Sequence, residues 1–143
     1  MGTVALAVAS VVATSQVVDP MNVMSDDVVG LRKIAMWSIN SEFAAIRSAL
    51  SAGDLDVAKS AALNLSVLAG VLPLLFEDEH ADAYPFGESE FRYEAGDSTV
   101  LLRHAIALQA AASAAASASS MGDVNIRAIG GTCAACHIVF RRR

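Results

Sequence analysis

Ile126-Arg127-Ala128-Ile129-Gly130-Gly131-Thr132-Cys133-Ala134-Ala135-Cys136-His137-Ile138-Val139-Phe140 carries both the period and the chemistry of this chain. Ile126, Ile129, Cys133, Cys136 and Phe140 recur at alternating steps of three and four, the seam of an amphipathic helix. The chain's only two cysteines therefore fall on an inward face, which a surface redox motif has no need of. His137 stands at the edge of the seam. Gly130 and Gly131 lie one turn before the first cysteine. Glycine costs about 1 kcal/mol in a helix interior, so a steric demand is expected there, such as close approach to a flat ring.

Working outward, the same alternation recurs. From about Asp26 to Leu50 the apolar residues include Val29, Met36, Ile39, Phe43, Ile46 and Leu50, preceded by Ser25, Asp26 and Asp27 as N-cap and first-turn acids. Ala52-Gly53 ends that segment. A second helix is expected from Asp54 to about Leu72, with Ala58, Ala61, Leu65, Leu68 and Leu72 as its seam and Pro73 closing it. A third, from about Asp97 to Ser119, shows Leu101, Ala105, Leu108, Ala112 and Ala115. Its second half is nearly all alanine and serine, but the seam continues and alanine outweighs glycine, so a helix is favoured over a flexible linker. Met121-Gly122-Asp123 reads as a turn with the N-cap of the last helix. Between about Leu74 and Gly96 no period holds, and Pro85 and Gly87 interrupt the chain. That stretch reads as a long connection, with a short helical turn around Glu88 to Tyr93, that covers one end of the fold. Short links join the first two helices and the last two. The fold expected is all-α, an antiparallel up-down-up-down four-helix bundle.

Cys133-Ala134-Ala135-Cys136-His137 is a CxxCH motif, and that spacing reads as covalent haem attachment. Two thiols one helical turn apart can each add to a haem vinyl group, and the histidine after the second is placed to bind the iron. The alternatives are a zinc site, a redox CxxC and a structural disulfide. Zinc needs further Cys or His ligands at their own spacing, while His80 and His104 sit alone and far off in sequence. A thioredoxin-like site asks for a βαβ pattern, and none is visible.

With 143 residues the chain is expected to form one domain. Its composition is 55% hydrophobic but only 6% aromatic, so the core has room for a large apolar group from elsewhere. A net charge of −5 argues against a nucleic-acid partner. Acids gather between Glu77 and Asp97, and Arg141-Arg142-Arg143 ends the chain; those arginines offer a surface for steering an acidic partner. Val4 to Ala13 is an apolar run too short to span a membrane. It resembles a signal-peptide core, with Val11-Val12-Ala13 as cleavage site and without a basic flank. Residues 1–20 are therefore set apart as a signal-like segment, leaving 21–143 as the folded domain in a periplasmic location.

With CxxCH on the last of four helices, the chain resembles the cytochrome c′ family, the class II c-type cytochromes. The matching residues are Gly130-Gly131-Thr132-Cys133-Ala134-Ala135-Cys136-His137, then Phe140-Arg141, and Arg32-Lys33 with Met36 in the first helix. The resemblance implies haem c, held covalently by Cys133 and Cys136, with His137 as axial iron ligand and Arg141 near it on the proximal side. It also implies Arg32 beside the haem propionates. A charge on the apolar seam is expensive without such a partner. Met36 matches the distal position, where it is either an apolar cap over five-coordinate iron or the sixth ligand. One departure is the tryptophan that family members often carry before the third helix; here Trp37 is the only one.

The function expected is that of a haem protein binding nitric oxide or carbon monoxide, transferring electrons, or both. A low-spin carrier with His137 and Met36 on iron is the alternative, and a haem-free CxxC redox or zinc protein a further one. No catalytic triad and no distal general acid near Met36 is read, so an enzyme is not expected. Redox partner proteins cannot be named from the sequence, and no membrane partner is expected. A homodimer is expected through a small-residue face at Ala44, Ala45, Ser48 and Ala49.

Overall fold

Gly53 ends the first helix by taking a left-handed backbone, φ 74°, which a side chain would disfavour. The structure is a computed structural model that describes residues 25–77 and 97–141. It contains α1 (Ser25–Ala52), α2 (Leu55–Val71), α3 (Ser98–Ala116) and α4 (Ile126–Phe140), with 3-10 turns at Leu72–Leu75 and Met121–Asp123. The fold of the described residues is all-α. The signal-like segment, the turn expected around Glu88 to Tyr93, and Arg142 and Arg143 lie outside them, as do the side chains of Ser25, Asp26, Asp27 and Val29.

The link after α1 is closed by its own backbone. Gly53 N–H donates to the Leu50 carbonyl at 3.3 Å and Asp54 N–H to the Ala49 carbonyl at 2.9 Å, so carbonyls left open by the helix end are satisfied. The Asp54 carboxylate then accepts the Val57 N–H at 3.0 Å and caps α2. Gly53 and Asp54 alone thus turn the chain so that α2 packs on α1.

Two boundaries differ from the sequence expectation. Pro73 does not simply stop α2. It sits at the start of a 3-10 turn, where its missing N–H costs nothing, and the turn carries Phe76 into the core with 1% exposure. At the start of α4, Asp123 is engaged backwards: its carboxylate accepts both the N–H and the hydroxyl of Ser120, each at 2.9 Å. The N-cap is Asn125, whose amide oxygen accepts the Ala128 N–H at 3.0 Å.

The core follows the seams with informative exceptions. All five expected α3 positions are buried; on α2 the alanines at 58, 61, 62 and 69 join Leu65, with Leu72 buried in the 3-10 turn that follows and Leu68 half-buried. Small residues let α2 and α3 pack closely over most of their length. By length and apolar composition Leu55–Leu75 and Ser98–Ala116 each meet the requirement for a membrane span; here their alanine-rich rows face neighbouring helices. On α1 and α4 the seam is only half realised: Met36, Phe43, Cys133 and Cys136 are half-buried beside fully buried Ile39, Ile46, Ile129 and Phe140. They pack against the core on one side and border a cavity on the other. The small-residue face also needs correction. Ala49 lies in the core and Ala45 packs against it, so only Ala44 and Ser48 remain exposed.

Ala112 is 0% exposed. Enlarging it to leucine is expected to force the helices apart and to destabilise the fold by about 1–3 kcal/mol. The same change at the exposed Ala110 should cost under about 0.5 kcal/mol. Denaturant midpoints of the two variants measure the difference.

Candidate functional site

α4 presents Cys133, Cys136 and His137 within about one turn because three and four residues on a helix share a face. Thr132 steadies that turn by donating its hydroxyl to the Ile129 carbonyl at 2.7 Å. Both cysteines are free thiols, not joined to each other. They open onto a cavity of about 600 Å³. Voids in packed protein interiors are few and rarely exceed a water molecule, whereas cavities of about 300–1,000 Å³ are those that hold small molecules and cofactors.

The cavity gathers every site residue expected from the sequence. Arg32 and Met36 reach it from α1; Cys133, Cys136, His137 and Arg141 reach it from α4 and its end. Ile39, Phe43, Leu72, Phe76, Leu101 and Leu108 make its walls mostly apolar. Arg32 is 1% exposed. Its Nε donates to the Leu75 carbonyl, and its guanidinium lies over the Phe76 ring, 4.6 Å from the centroid. The 3-10 turn that Pro73 starts, with Phe76 just after it, therefore supplies two of the contacts that hold this buried cation.

Sequence reasoning missed His104. It is distant from the motif along the chain, yet it lines the same cavity. The signal was its spacing: it follows Leu101 by three residues and precedes Leu108 by four, on the inward row of α3. The glycine expectation is met in part. A Cβ on Gly130 would lie 3.4 Å from Cζ of Phe43, so the flat ring nearest that position belongs to the protein itself; a Cβ on Gly131 would meet nothing within 4 Å.

Electrostatics set the protonation states. Burial pushes the Cys133 thiol above its ordinary value, and burial with the neighbouring Cys133 pushes Cys136 up to about 11. Burial, then the Arg141 charge, lowers His137 below its ordinary 6.5. At neutral pH the site thus offers neutral thiols and a neutral imidazole, the form that binds metals. Among the described residues no group of three or more His, Cys, Asp or Glu is gathered to hold a metal ion. A zinc site asks for three or four protein ligands, and a haem iron asks for one or two.

The sign of the pH dependence follows for the haem-free chain. An unfolded thiol titrates near 9.0 and folded Cys136 near 11, so between those values the unfolded state has lost a proton that the folded state keeps. Stability falls as pH rises through that window. At pH 8, Cys136 should also alkylate roughly a hundredfold more slowly than a free cysteine, the ratio of thiolate fractions for two pKa units. Iodoacetamide labelling followed by mass spectrometry checks this.

Compared with protein families, curated proteins and solved structures, the chain matches none.

Proposed function

We propose that this chain is a c-type haem protein of the cytochrome c′ kind: an antiparallel up-down-up-down four-helix bundle, residues 21–143, exported to the periplasm. The single observation that carries the reading is the convergence of two thiols, the CxxCH imidazole, Met36 and a buried arginine on one apolar cavity of about 600 Å³. A porphyrin matches that donor set, since it has a flat apolar ring, two vinyl groups, a metal and two carboxylates.

Cys133 and Cys136 would hold it covalently, through thioether bonds to its two vinyl groups, and His137 would supply an imidazole ligand for the iron from α4. Arg32 supplies a cation for the carboxylates, and Arg141 stands beside His137. Bound haem supplies one-electron chemistry and a coordination position for small gases. The chain's own part is to exclude water with Ile39, Phe43, Leu101 and Leu108 and to control access with Met36. Binding of nitric oxide or carbon monoxide, electron transfer, or both follow from this arrangement, without catalytic turnover, a nucleic-acid partner or a membrane partner. Pairing of two copies through α1 remains part of the proposal, on a face reduced to Ala44 and Ser48.

The second reading is a low-spin carrier in which Met36 binds the iron; the half-buried place of Met36 on the cavity favours weighing it. Optical spectra of wild type and Met36→Ala, with carbon monoxide added to the reduced protein, separate the two. The first reading expects a high-spin spectrum in both and faster gas binding in the variant. A low-spin spectrum in the wild type, lost in Met36→Ala, replaces it with the second.

A further inference from the structure

We infer that His104 is a further cofactor-contacting residue, holding a ring carboxylate of the porphyrin from the α3 wall as Arg32 does from α1. The inference rests on the haem reading above and adds a residue that the CxxCH motif does not announce.

His104 belongs to the inward row Leu101, His104, Ala105 and Leu108, all of which line the cavity, and it is the one polar side chain in that row. Its ring meets Phe140 edge-on, centroids 6.1 Å apart at 86°. Phe140 is 0% exposed, so a core residue fixes where the imidazole lies. Phe140 also fixes the level. It is followed at once by Arg141, and His137 precedes it by three residues on the same helix.

Arg32 stands in the first turns of α1, against the 3-10 turn that follows α2. His104 stands in the second turn of α3, and Arg141 just past α4. All three lie at chain positions remote from the short links that join α1 to α2 and α3 to α4. One end of the cavity thus collects Arg32, Lys33, His104 and Arg141, and none of the described lining residues is a carboxylate. The other walls are mostly apolar, with only the uncharged Asn40, Thr132 and the two thiols as polar groups beside His137. An amphiphilic ring enters such a cavity with its carboxylates toward the nitrogen-rich end, because burying them elsewhere leaves charge without hydrogen bonds. His104 packs on the α4 side, the side of His137, whereas Met36 comes from α1. This favours a carboxylate contact over competition for the sixth iron position.

The test uses the purified, haem-loaded full chain as wild type, His104→Leu and His104→Gln. The readouts are the midpoint potential and the resonance Raman bands of the propionates and of the iron–ligand bond. Leucine removes the donor, leaves the carboxylate less compensated and favours ferric iron. The expected shift is threefold or more in the ferric/ferrous equilibrium, about 30 mV at 59 mV per tenfold, with an altered propionate band. Glutamine keeps an N–H donor and should recover most of both. Unchanged potential and bands in His104→Leu overturn the inference. So does equal loss in both variants, or a change confined to the iron–ligand band. Wild type without haem fails the underlying reading first, before any variant is compared.

Discussion

Replacing Cys133 and Cys136 together by alanine is expected to abolish all haem that survives acid–organic extraction. The two thiols lie half-buried on the cavity wall, packed against the core, and carry their protons at neutral pH. Nothing else described in the cavity can form a thioether. The remaining lining is unchanged, including His137, Met36 and Arg32, so haem added to the double variant should still bind, reversibly. Each single variant should retain one thioether and a shifted visible band. Circular dichroism should report an intact helical fold, since cysteine to alanine removes little buried surface. Extraction followed by mass measurement of the chain decides the matter. Retention of acid-stable pigment by the double variant would contradict the assignment of both residues.

Arg32→Ala is expected to be strongly destabilising. The side chain is 1% exposed, its Nε satisfies the Leu75 carbonyl, and its guanidinium covers Phe76. A desolvated cation–π contact is worth about 2 kcal/mol or more, and a part-buried carbonyl left without its donor costs about 1 kcal/mol. Relief from burying a charge offsets part of this. A net loss of about 3 kcal/mol follows, or roughly 10 °C in melting temperature for a chain of this size. Lysine should restore little, because it lacks the planar fork that stacks and donates together. The exposed neighbour gives the control: Lys33→Ala should move the melt by less than about 2 °C. Measured on loaded and haem-free protein, the Arg32→Ala penalty should be larger in the loaded form. An equal penalty in both forms would remove the carboxylate role while leaving the structural one.

The contrast between these residues shows what the chain discloses in one dimension. The α3 seam was readable in full: Leu101, Ala105, Leu108, Ala112 and Ala115 are all buried, although the first three also line the cavity. The seams of α1 and α4 were readable in register but not in depth. Met36, Phe43, Cys133 and Cys136 keep the helical spacing yet border open space, and a cavity leaves no mark on periodicity. Cap chemistry was ambiguous where two acceptors compete: Asp123 reads as an N-cap until Ser120 is seen to engage it, which leaves the role to Asn125. Ala49 read as an outer residue because alanine carries no burial signal of its own. The motif made the α4 part of the site legible, since its residues are neighbours in sequence. His104 and Phe76 were not, because only the packing of α3 and the turn at Pro73 brings them there.

The most direct measurement is a pyridine haemochrome spectrum of the purified chain, produced in cells able to mature c-type haem. The account predicts a red protein whose pigment stays with the polypeptide through acidic solvent and gives the bands of a thioether-linked haem. A colourless protein from the same cells, helical and cooperatively folded, would contradict it.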